Sequence, residues 1–486
     1  NRELNKPEVM ESDSPLTNTV GAVLDPILSI RVRVKIPPGE TCKIAYITAV
    51  GESREEAVKL AMKYRDWNNV NRVFELAWTQ SQVETRYLGI KSSIANLYQS
   101  MASKIIFLNN TFRERQDYIK AIDKGQPALW SYGISGDLPI VVVLLRKEED
   151  LDMVRQMIKA HEYWSLKGLK ADLIILNLES SSYIQALQDA IRDIVYSSHV
   201  RDKENSFGGV FLYNKAIMAE EDIKFIISIA RLIIDPEKGS ITSQIKKKDK
   251  PEYNVDVLKH SELIFKEKNV QLETPKLNYF NSLGGFDSSG DKYIIVLDNY
   301  RNTPAPWINV ISNGDFGFHV SESGVSYTWY KNSRENKITT WSNDPIKDSE
   351  AEGLYIRDEI SGKLWSISPK PIRDGGKYII EHSYGYSNFK HKAYGIMGEF
   401  SMFASIEDSV KLCIVKLKNY TDIERKLSVT YYVQLALGVV PQQTAQYIST
   451  YINNEKEYIY AKNPYSSNFG NLLAYLKIAG GEDISC

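Results

Sequence analysis

Alternating apolar positions near the start of the chain predict two strands joined by a turn. Every second side chain is apolar over residues 28–34, where the sequence is Leu-Ser-Ile-Arg-Val-Arg-Val. Residues 37–39 are Pro-Pro-Gly, a turn sequence, and residues 41–50 have the composition of an extended segment. We therefore predict two strands, over 28–34 and 41–50.

The period changes from two to 3.6 after residue 52, which predicts helices. Ser53 and Glu56 have the spacing of a capping box, and apolar residues then recur on one helical face. Two more amphipathic stretches follow, and Gly89 is placed to end the second helix. We assign residues 53–110 to a helical linker.

Short β-branched runs alternate with helical patterns between residues 138 and 235. This order predicts a small parallel α/β unit within residues 111–239. Short apolar runs can also belong to buried helices, so a reduced relative of a helical barrel stays open as an alternative for this region. The predicted strands are 140–145, 172–176 and 210–213, and the last predicted helix covers 223–234.

The pattern becomes purely β in the second half of the chain. Residues 240–278 are polar and rich in lysine, which predicts a solvated linker. From residue 279 to 486, Gly, Asn, Asp and Pro turns separate alternating runs, which is typical of an antiparallel sandwich. The predicted fold class is multidomain α+β: a helical linker and a small α/β unit, followed by a large antiparallel β-sandwich.

Composition and charge exclude several classes of function. The formal net charge of −1 gives no basic field for nucleic acid or an anionic membrane. Cys42, Cys413 and Cys486 have no metal-ligand spacing, and the six histidines form no metal-spaced pair. The polar N-terminus is no signal peptide, and no apolar run reaches the length of a membrane span. We expect a cytoplasmic protein without a metal or another cofactor.

A block of aromatic and polar residues carries the candidate binding chemistry. Aromatic rings can stack on the apolar face of a sugar, while Arg, Asn, Asp and Glu can hydrogen-bond to its hydroxyls. A hairpin loop whose polar side chains satisfy backbone groups would have the same composition, and residue types alone do not separate the two. The candidate substrate-binding residues are Trp329, Arg334, Glu335, Asn336, Trp341 and Asp344.

Several motifs together resemble glycoside hydrolase family ninety-four, within it the group of cyclic β-1,2-glucan synthases and 1,2-β-oligoglucan phosphorylases. The resemblance covers nearly the whole chain. Its central motifs are Phe-Asn-Ser-Leu-Gly-Gly-Phe at 280–286, Thr-Pro-Ala-Pro-Trp at 303–307, Val-Ser-Glu-Ser-Gly at 320–324, Asn-Ser-Arg-Glu-Asn at 332–336 and Trp-Ser-Asn-Asp-Pro at 341–345. Further similar segments are 21–26, 51–65, 129–139 and 427–433.

The resemblance implies a galactose-mutarotase-like supersandwich and, in the family, an α/α barrel that carries one Asp as general acid for inverting phosphorolysis. It places the barrel after the sandwich, and it makes residues 1–52 the tail strands of one sandwich and 279–486 the front of the next. We therefore expect an internal segment without the catalytic barrel, with inorganic phosphate as co-substrate only in the parent. Expected partners are β-1,2-glucan oligosaccharides and the barrel of the same polypeptide, with any membrane attachment through the parent.

Three functional hypotheses follow from this resemblance. The first is a carbohydrate-binding and scaffolding segment, in which Trp329 and Trp341 stack on sugar and Arg334 and Glu335 bind hydroxyls. The second is a chain with phosphorylase or transglycosylase activity of its own, for which the carboxylates to test are Asp137 and Asp344. The third is a purely structural assembly module.

Overall fold

The computed structural model describes residues 7–22, 26–108, 116–120, 122–179, 186–246, 261–453 and 458–480. The chain divides into two compact units. One unit, called here the α/β unit, is Leu28–Pro251; the other, called the sandwich unit, is Asn1–Ile27 with Glu252–Cys486. Cys486 and parts of the predicted linkers lie outside the described residues.

The α/β unit contains a four-stranded parallel sheet with helices before and between its strands. Its strands follow the spatial order β3-β2-β1-β4, and β1 and β2 are buried along their whole length. The helices are α1 (Arg54–Lys63), α2 (Trp67–Tyr87), α3 (Ser92–Ile106), α4 (Gln116–Lys120), α5 (Leu151–Leu166), α6 (Ala186–Tyr196), α7 (Glu220–Ile229) and α8 (Ile241–Ile245). The strands are β1 (Ile140–Leu145), β2 (Asp172–Asn177), β3 (Val210–Asn214) and β4 (Leu232–Ile234).

The structure has a parallel sheet in this region, and the run over 140–145 is a strand. The three predicted strands are present, and β1 pairs in parallel with β2. One element was misassigned: the predicted helix over 223–234 ends at Ile229, and Leu232–Ile234 form β4 beside β1. A continuous apolar run satisfies a buried helix and a buried strand equally well, so its pattern could not show this break.

The first helix begins as the sequence predicts. The Ser53 hydroxyl accepts a hydrogen bond from the Glu56 amide at 3.1 Å, and the Glu56 carboxylate accepts one from the Glu52 amide at 2.8 Å. The Glu56 amide, which has no partner within the helix, is satisfied in this way, whereas the Glu56 carboxylate binds the amide before the N-cap instead of that of Ser53 itself.

The two strands predicted over 28–34 and 41–50 are not assigned in the structure. The turn between them is present, since the Glu40 amide donates to the Pro37 carbonyl at 3.1 Å, but no described residue forms a ladder with either arm. Their apolar side chains are largely exposed, with Leu28 99% and Val50 91% accessible. A strand is defined by its neighbour, and the alternation of a sequence does not supply one.

The sandwich unit consists of antiparallel sheets. They have the strand orders β16-β15-β14-β13-β6-β5, β18-β10-β9-β8-β7, β12-β11-β17 and β19-β20-β21. The strands are β5 (Gly284–Phe286), β6 (Lys292–Leu297), β7 (Ile308–Ser312), β8 (Phe316–Ser321), β9 (Ser326–Tyr330), β10 (Lys337–Thr339), β11 (Glu352–Asp358), β12 (Leu364–Trp365), β13 (Tyr378–Ser383), β14 (Tyr386–Ala393), β15 (Ile396–Ala404), β16 (Lys411–Asn419), β17 (Leu427–Val433), β18 (Leu435–Gly438), β19 (Ser449–Asn453), β20 (Tyr458–Lys462) and β21 (Leu473–Lys477), with the short helix α9 (Pro441–Thr444) after β18.

One hydrophobic core lies between three of these sheets. Phe318 of β8, Ile356 of β11 and Phe400 of β15 are all fully buried in it. Side chains alternate along a strand, so the neighbours of Phe318 in β8 point to the other side of their sheet. That other side carries the candidate site.

The predicted linker over 240–278 is packed at both ends. Ile241 and Ile245 of α8 belong to the core of the α/β unit. In the sandwich unit, Glu267 forms a bridge with Thr421, and the Lys268 amide donates to the Tyr420 carbonyl at 2.9 Å. Residues 247–260 lie outside the described part of the chain.

Candidate functional site

Four aromatic side chains form a cluster on the side of the sheet that faces away from the core. We call His319, Tyr327, Trp329 and Trp341 the aromatic face. Tyr327 and Trp341 stack with ring centres 4.7 Å apart and planes at 3°, and His319 meets both rings edge-on at 4.5 and 4.8 Å. Trp329 tilts against Tyr327 at 5.1 Å. His319 and Tyr327 are buried, while the two indoles remain partly exposed.

The strand register extends this face into an apolar strip. His319 pairs with Val310 of β7, and directly opposite residues point to the same side of a sheet. Val310 is 57% and Ile308 49% exposed. Trp329 pairs with Gly317, where a Cβ atom would collide with the indole ring, so the missing side chain lets the ring lie flat on the sheet.

The loop between β9 and β10 presents two of the predicted polar residues to solvent. The side-chain oxygen of Asn332 accepts hydrogen bonds from the backbone amides of Arg334 and Glu335, each at 2.9 Å. The Arg334 and Glu335 side chains pair at 3.3 Å and are 85% and 50% exposed. A pair this exposed contributes little to stability, so both groups can reorient toward a ligand.

Asn336 has a structural position instead of an exposed one. Its side chain is buried, and its amide donates to the Tyr330 carbonyl at 3.0 Å. Lys337 lies opposite Trp329 in the register, and its ammonium donates to the carbonyls of Arg334 and Val439, both at 3.0 Å. Burial lowers the pKa of Lys337. Sequence reasoning missed this lysine because a single charge at a strand end looks like any surface residue.

Asp344 begins the turn over residues 345–347. Its carboxylate accepts hydrogen bonds from the Ile346 and Lys347 amides, each at 2.9 Å. The bond from the Lys347 amide is the main reason that the pKa of Asp344 lies below its usual value. An ionised carboxylate bound to backbone amides is poorly suited to donate a proton as a general acid.

Asp137 belongs to the α/β unit. Its carboxylate accepts hydrogen bonds from the Ser135 hydroxyl and, at 2.9 Å, from the Gln126 amide. These contacts hold the loop before β1 in place.

The Ser-Glu-Ser motif at 321–323 is buried and connects loops. Ser321 and Ser323 donate to the Asp348 carboxylate at 2.8 and 2.6 Å. Glu322 accepts hydrogen bonds from the Thr303 hydroxyl and, at 2.7 Å, from the Trp307 amide. The conformation of this motif therefore depends on packing that its residue types do not reveal.

A buried ion pair fixes the sheet beneath the aromatic face. Glu352 accepts hydrogen bonds from Thr328 of β9 and Thr339 of β10, both at 2.8 Å. Its other oxygen accepts from Lys411 at 2.5 Å and Tyr431 at 2.7 Å. Burial alone would raise the pKa of Glu352, but the Lys411 charge and these donors hold it below its usual value. Glu352 thus joins the strands of the site to β16 and β17.

Metal-binding clusters and membrane-spanning helices are absent from the ranges of residues that the structure describes. In those ranges no group of three or more His, Cys, Asp and Glu side chains could hold a metal ion. None of the helices described there combines the length and apolarity that a membrane crossing requires.

Comparison with known proteins connects this architecture to a family. The profile described as "Glycosyl hydrolase 94, supersandwich domain" matches residues 1–67 and 291–486. The cyclic beta-(1,2)-glucan synthase NdvB of Rhizobium meliloti is 29% identical over 99% of the chain and 17% of its own length. The N,N'-diacetylchitobiose phosphorylase of Vibrio furnissii is 26% identical over 32% of the chain and 19% of its own length, and the solabiose phosphorylase of Paenibacillus borealis is 25% identical over 32% and 20%. The chain thus spans a fifth or less of the curated relatives it matches, and it belongs to the glycosyl hydrolase 94 supersandwich family.

Proposed function

We propose that this chain is a carbohydrate-binding and scaffolding segment of a larger β-1,2-glucan-processing enzyme. The observation that carries the proposal is the aromatic face: two partly exposed indoles held rigidly on the outer side of a sandwich sheet, in a family of glycoside-processing proteins. In this proposal the galactose-mutarotase-like supersandwich positions the catalytic barrel of the same polypeptide.

The binding mode follows from the chemistry of the face. Trp329 and Trp341 would take the apolar faces of successive glucose rings, and Val310 would extend the contact. Arg334 and Glu335 would hydrogen-bond to hydroxyls at the edge of the face, because both side chains are exposed and form an ion pair with each other at the surface. Tyr327 stacked beneath Trp341 supports that indole, so a sugar would meet a preorganised surface.

Residues 1–52 fit the same proposal as the tail strands of another sandwich. The family profile matches 1–67 together with 291–486, although helices and a parallel sheet separate the two segments in the chain. Residues 28–50 alternate between apolar and polar side chains and are largely exposed. This is the pattern of strands whose partner strands belong to another sheet.

The test is the binding of β-1,2-glucooligosaccharides to the purified chain by titration calorimetry. We expect Trp341→Ala and Trp329→Ala each to weaken binding about tenfold, since loss of one stacked ring costs roughly 0.5 to 1.5 kcal/mol beyond its contact area. Trp78→Ala is the matched control, because Trp78 is 66% exposed but lies on α2 in the α/β unit. Arg334→Ala and Glu335→Ala should weaken binding without loss of stability.

The outcome also separates the three hypotheses. Unchanged affinity in all four aromatic-face and loop variants would refute the binding proposal and leave a structural module. Release of glucose 1-phosphate by the chain alone, from these oligosaccharides and phosphate, would refute the non-catalytic proposal and direct attention to Asp137 and Asp344.

A further inference from the structure

A cavity whose ten lining residues include three cations and one carboxylate lies beside the Ser323 loop of the sandwich unit. Its volume is about 240 Å³, the share of roughly eight water molecules. This is smaller than the pockets that hold drug-sized ligands, and it suits a ligand of about one sugar ring. We call it the cationic cavity; the lining residues that matter for the argument are Tyr300, Asn302, Lys347, Glu350, Lys370 and Arg373.

Cations outnumber carboxylates in this lining by three to one. Lys370 donates to the carbonyls of Lys347 and, at 2.7 Å, Asp348, and its ammonium lies 3.4 Å from the Glu350 carboxylate. Arg373 donates at 2.6 Å to the Asn302 side-chain oxygen and to the carbonyl of Arg301. Both of these acceptors are neutral groups, and the two hydrogen bonds fix the orientation of the guanidinium.

The nearby carboxylates of the sandwich unit are engaged by other donors. The Asp348 carboxylate accepts from the buried Ser321 and Ser323 hydroxyls, and the Asp344 carboxylate accepts from two backbone amides. The pKa of Asp344 is lowered first by the Lys347 amide and further by the charges of Lys347 and Lys370. Asp344 therefore interacts with the same two lysines that line the cavity.

Tyr300 lines the cavity, and the loop that carries it is held in place by neighbouring contacts. Asn299 and Tyr300 both have left-handed backbone conformations, with φ of 47° and 60°. Non-glycine residues adopt this region only where the surroundings require it. The Tyr300 ring lies over Gly375, where a Cβ atom would approach it to 3.2 Å, and Arg301 braces the loop through a 2.8 Å pair with Asp298. Tyr300 is 59% exposed, so its ring is open to a ligand.

We propose that the cationic cavity binds the oxyanion of a sugar-sized ligand, a carboxylate or phosphate group on one sugar ring. Lys347, Lys370 and Arg373 face the oxyanion, and Tyr300 packs against the ring that bears it. This is a second binding site, and it does not depend on sugar binding at the aromatic face.

The experiment is calorimetric titration of the full chain at low salt with glucuronic acid, glucose and inorganic phosphate. We expect glucuronate to bind at least tenfold more tightly than glucose. Lys347→Gln and Arg373→Gln should each weaken glucuronate about tenfold, in the range of a lost charge-assisted hydrogen bond. Lys416→Gln is the matched control, since Lys416 is 70% exposed on β16 and does not line the cavity. Tyr300→Ala should weaken glucuronate and leave phosphate unchanged.

Each outcome decides the proposal. Equal affinity for glucuronate and glucose, or glucuronate binding that survives both Lys347→Gln and Arg373→Gln, overturns it. Lys347 is exposed, so its variant tests the site even if Arg373→Gln does not fold. If Tyr300→Ala leaves glucuronate affinity unchanged, the site takes a bare oxyanion and the sugar part is wrong. If a neutral glucan binds in a way that depends on Trp341 but glucuronate does not bind, this inference is wrong and the proposed function is unaffected.

Discussion

Replacing Glu352 by glutamine should loosen the sheet that carries the aromatic face. The Glu352 and Lys411 side chains are only 3% and 9% exposed, and Thr328, Thr339 and Tyr431 complete the hydrogen bonds of the carboxylate. Glutamine keeps the shape but removes the charge that balances the Lys411 ammonium. Breaking a buried pair in this way costs about 3 to 5 kcal/mol because it leaves an unpaired charge inside the protein.

Hydrogen exchange measured by mass spectrometry is the appropriate assay, because the chain has two units and a single unfolding midpoint would combine them. A loss of about 3 kcal/mol corresponds to about a hundredfold faster exchange. We expect this acceleration in peptides that cover residues 326–339 and 352–358. The strand β2 in the α/β unit is the internal reference and should not change.

Two further variants control for charge and for burial. In Glu352→Gln combined with Lys411→Met, no buried charge is left unpaired, so at least half of the lost protection should return. Lys416→Gln removes one partner of an exposed pair with Glu399, 3.7 Å long, and should shift stability by less than about 0.5 kcal/mol. If Glu352→Gln exchanges no faster than Lys416→Gln, the buried pair does not hold the sheet and the reasoning fails.

Three other changes test the packing around the site and in the α/β unit. Burial lowers the pKa of His319 from 6.5 to about 4, so the stability that depends on neutral His319 is complete above pH 6.5 and falls by about 3 kcal/mol by pH 4. Urea unfolding, followed by pulsed hydrogen exchange in peptides of each unit separately, should lack this part of the pH dependence in His319→Gln; parallel pH profiles of the variant and the original chain would contradict the assignment. Gly324 has φ of 90° and a Cβ there would overlap Ser368, so Gly324→Ala should cost more than about 1 kcal/mol by the same measurement, and a neutral effect would show that the loop relaxes freely. The buried Trp164 indole donates to the Tyr98 carbonyl at 2.8 Å; Trp164→Phe should cost about 1 to 3 kcal/mol in urea unfolding of the α/β unit, and no loss would mean that water replaces the donor.

Local signals in the sequence predicted most, but not all, elements of the α/β unit. The run over 140–145 is short, β-branched and followed by an acidic helix start, and it forms β1 as predicted. The Ser53 hydroxyl also caps the first helix as predicted, because its partner Glu56 lies three residues away. The break between Ile229 and Leu232 was missed because it depends on pairing with β1, a contact between distant parts of the chain.

The arrangement of the candidate site could be predicted from the sequence only in part, for the same reason. Trp329 and Trp341 are twelve positions apart, and their common neighbour Tyr327 was visible in the sequence, but the stacking geometry depends on how β9 pairs with β8. The Lys337 contact with the Arg334 carbonyl and the cationic cavity require several loops to meet. No spacing in the sequence encodes these contacts.

Burial, more than residue type, separates the scaffold from the candidate binding groups. Glu322 and Glu352 are almost inaccessible, and their donors are hydroxyls, an amide and an ammonium of the protein itself, so their hydrogen-bonding capacity serves the fold. Glu335 and Glu350 pair with single cations near solvent, where a ligand can exchange with the partner at little cost. The sequence alone does not distinguish these four glutamates. The exposed pair Arg334–Glu335 and the cationic cavity are therefore where substitution should change ligand affinity and leave stability intact, whereas Glu352 should show the opposite.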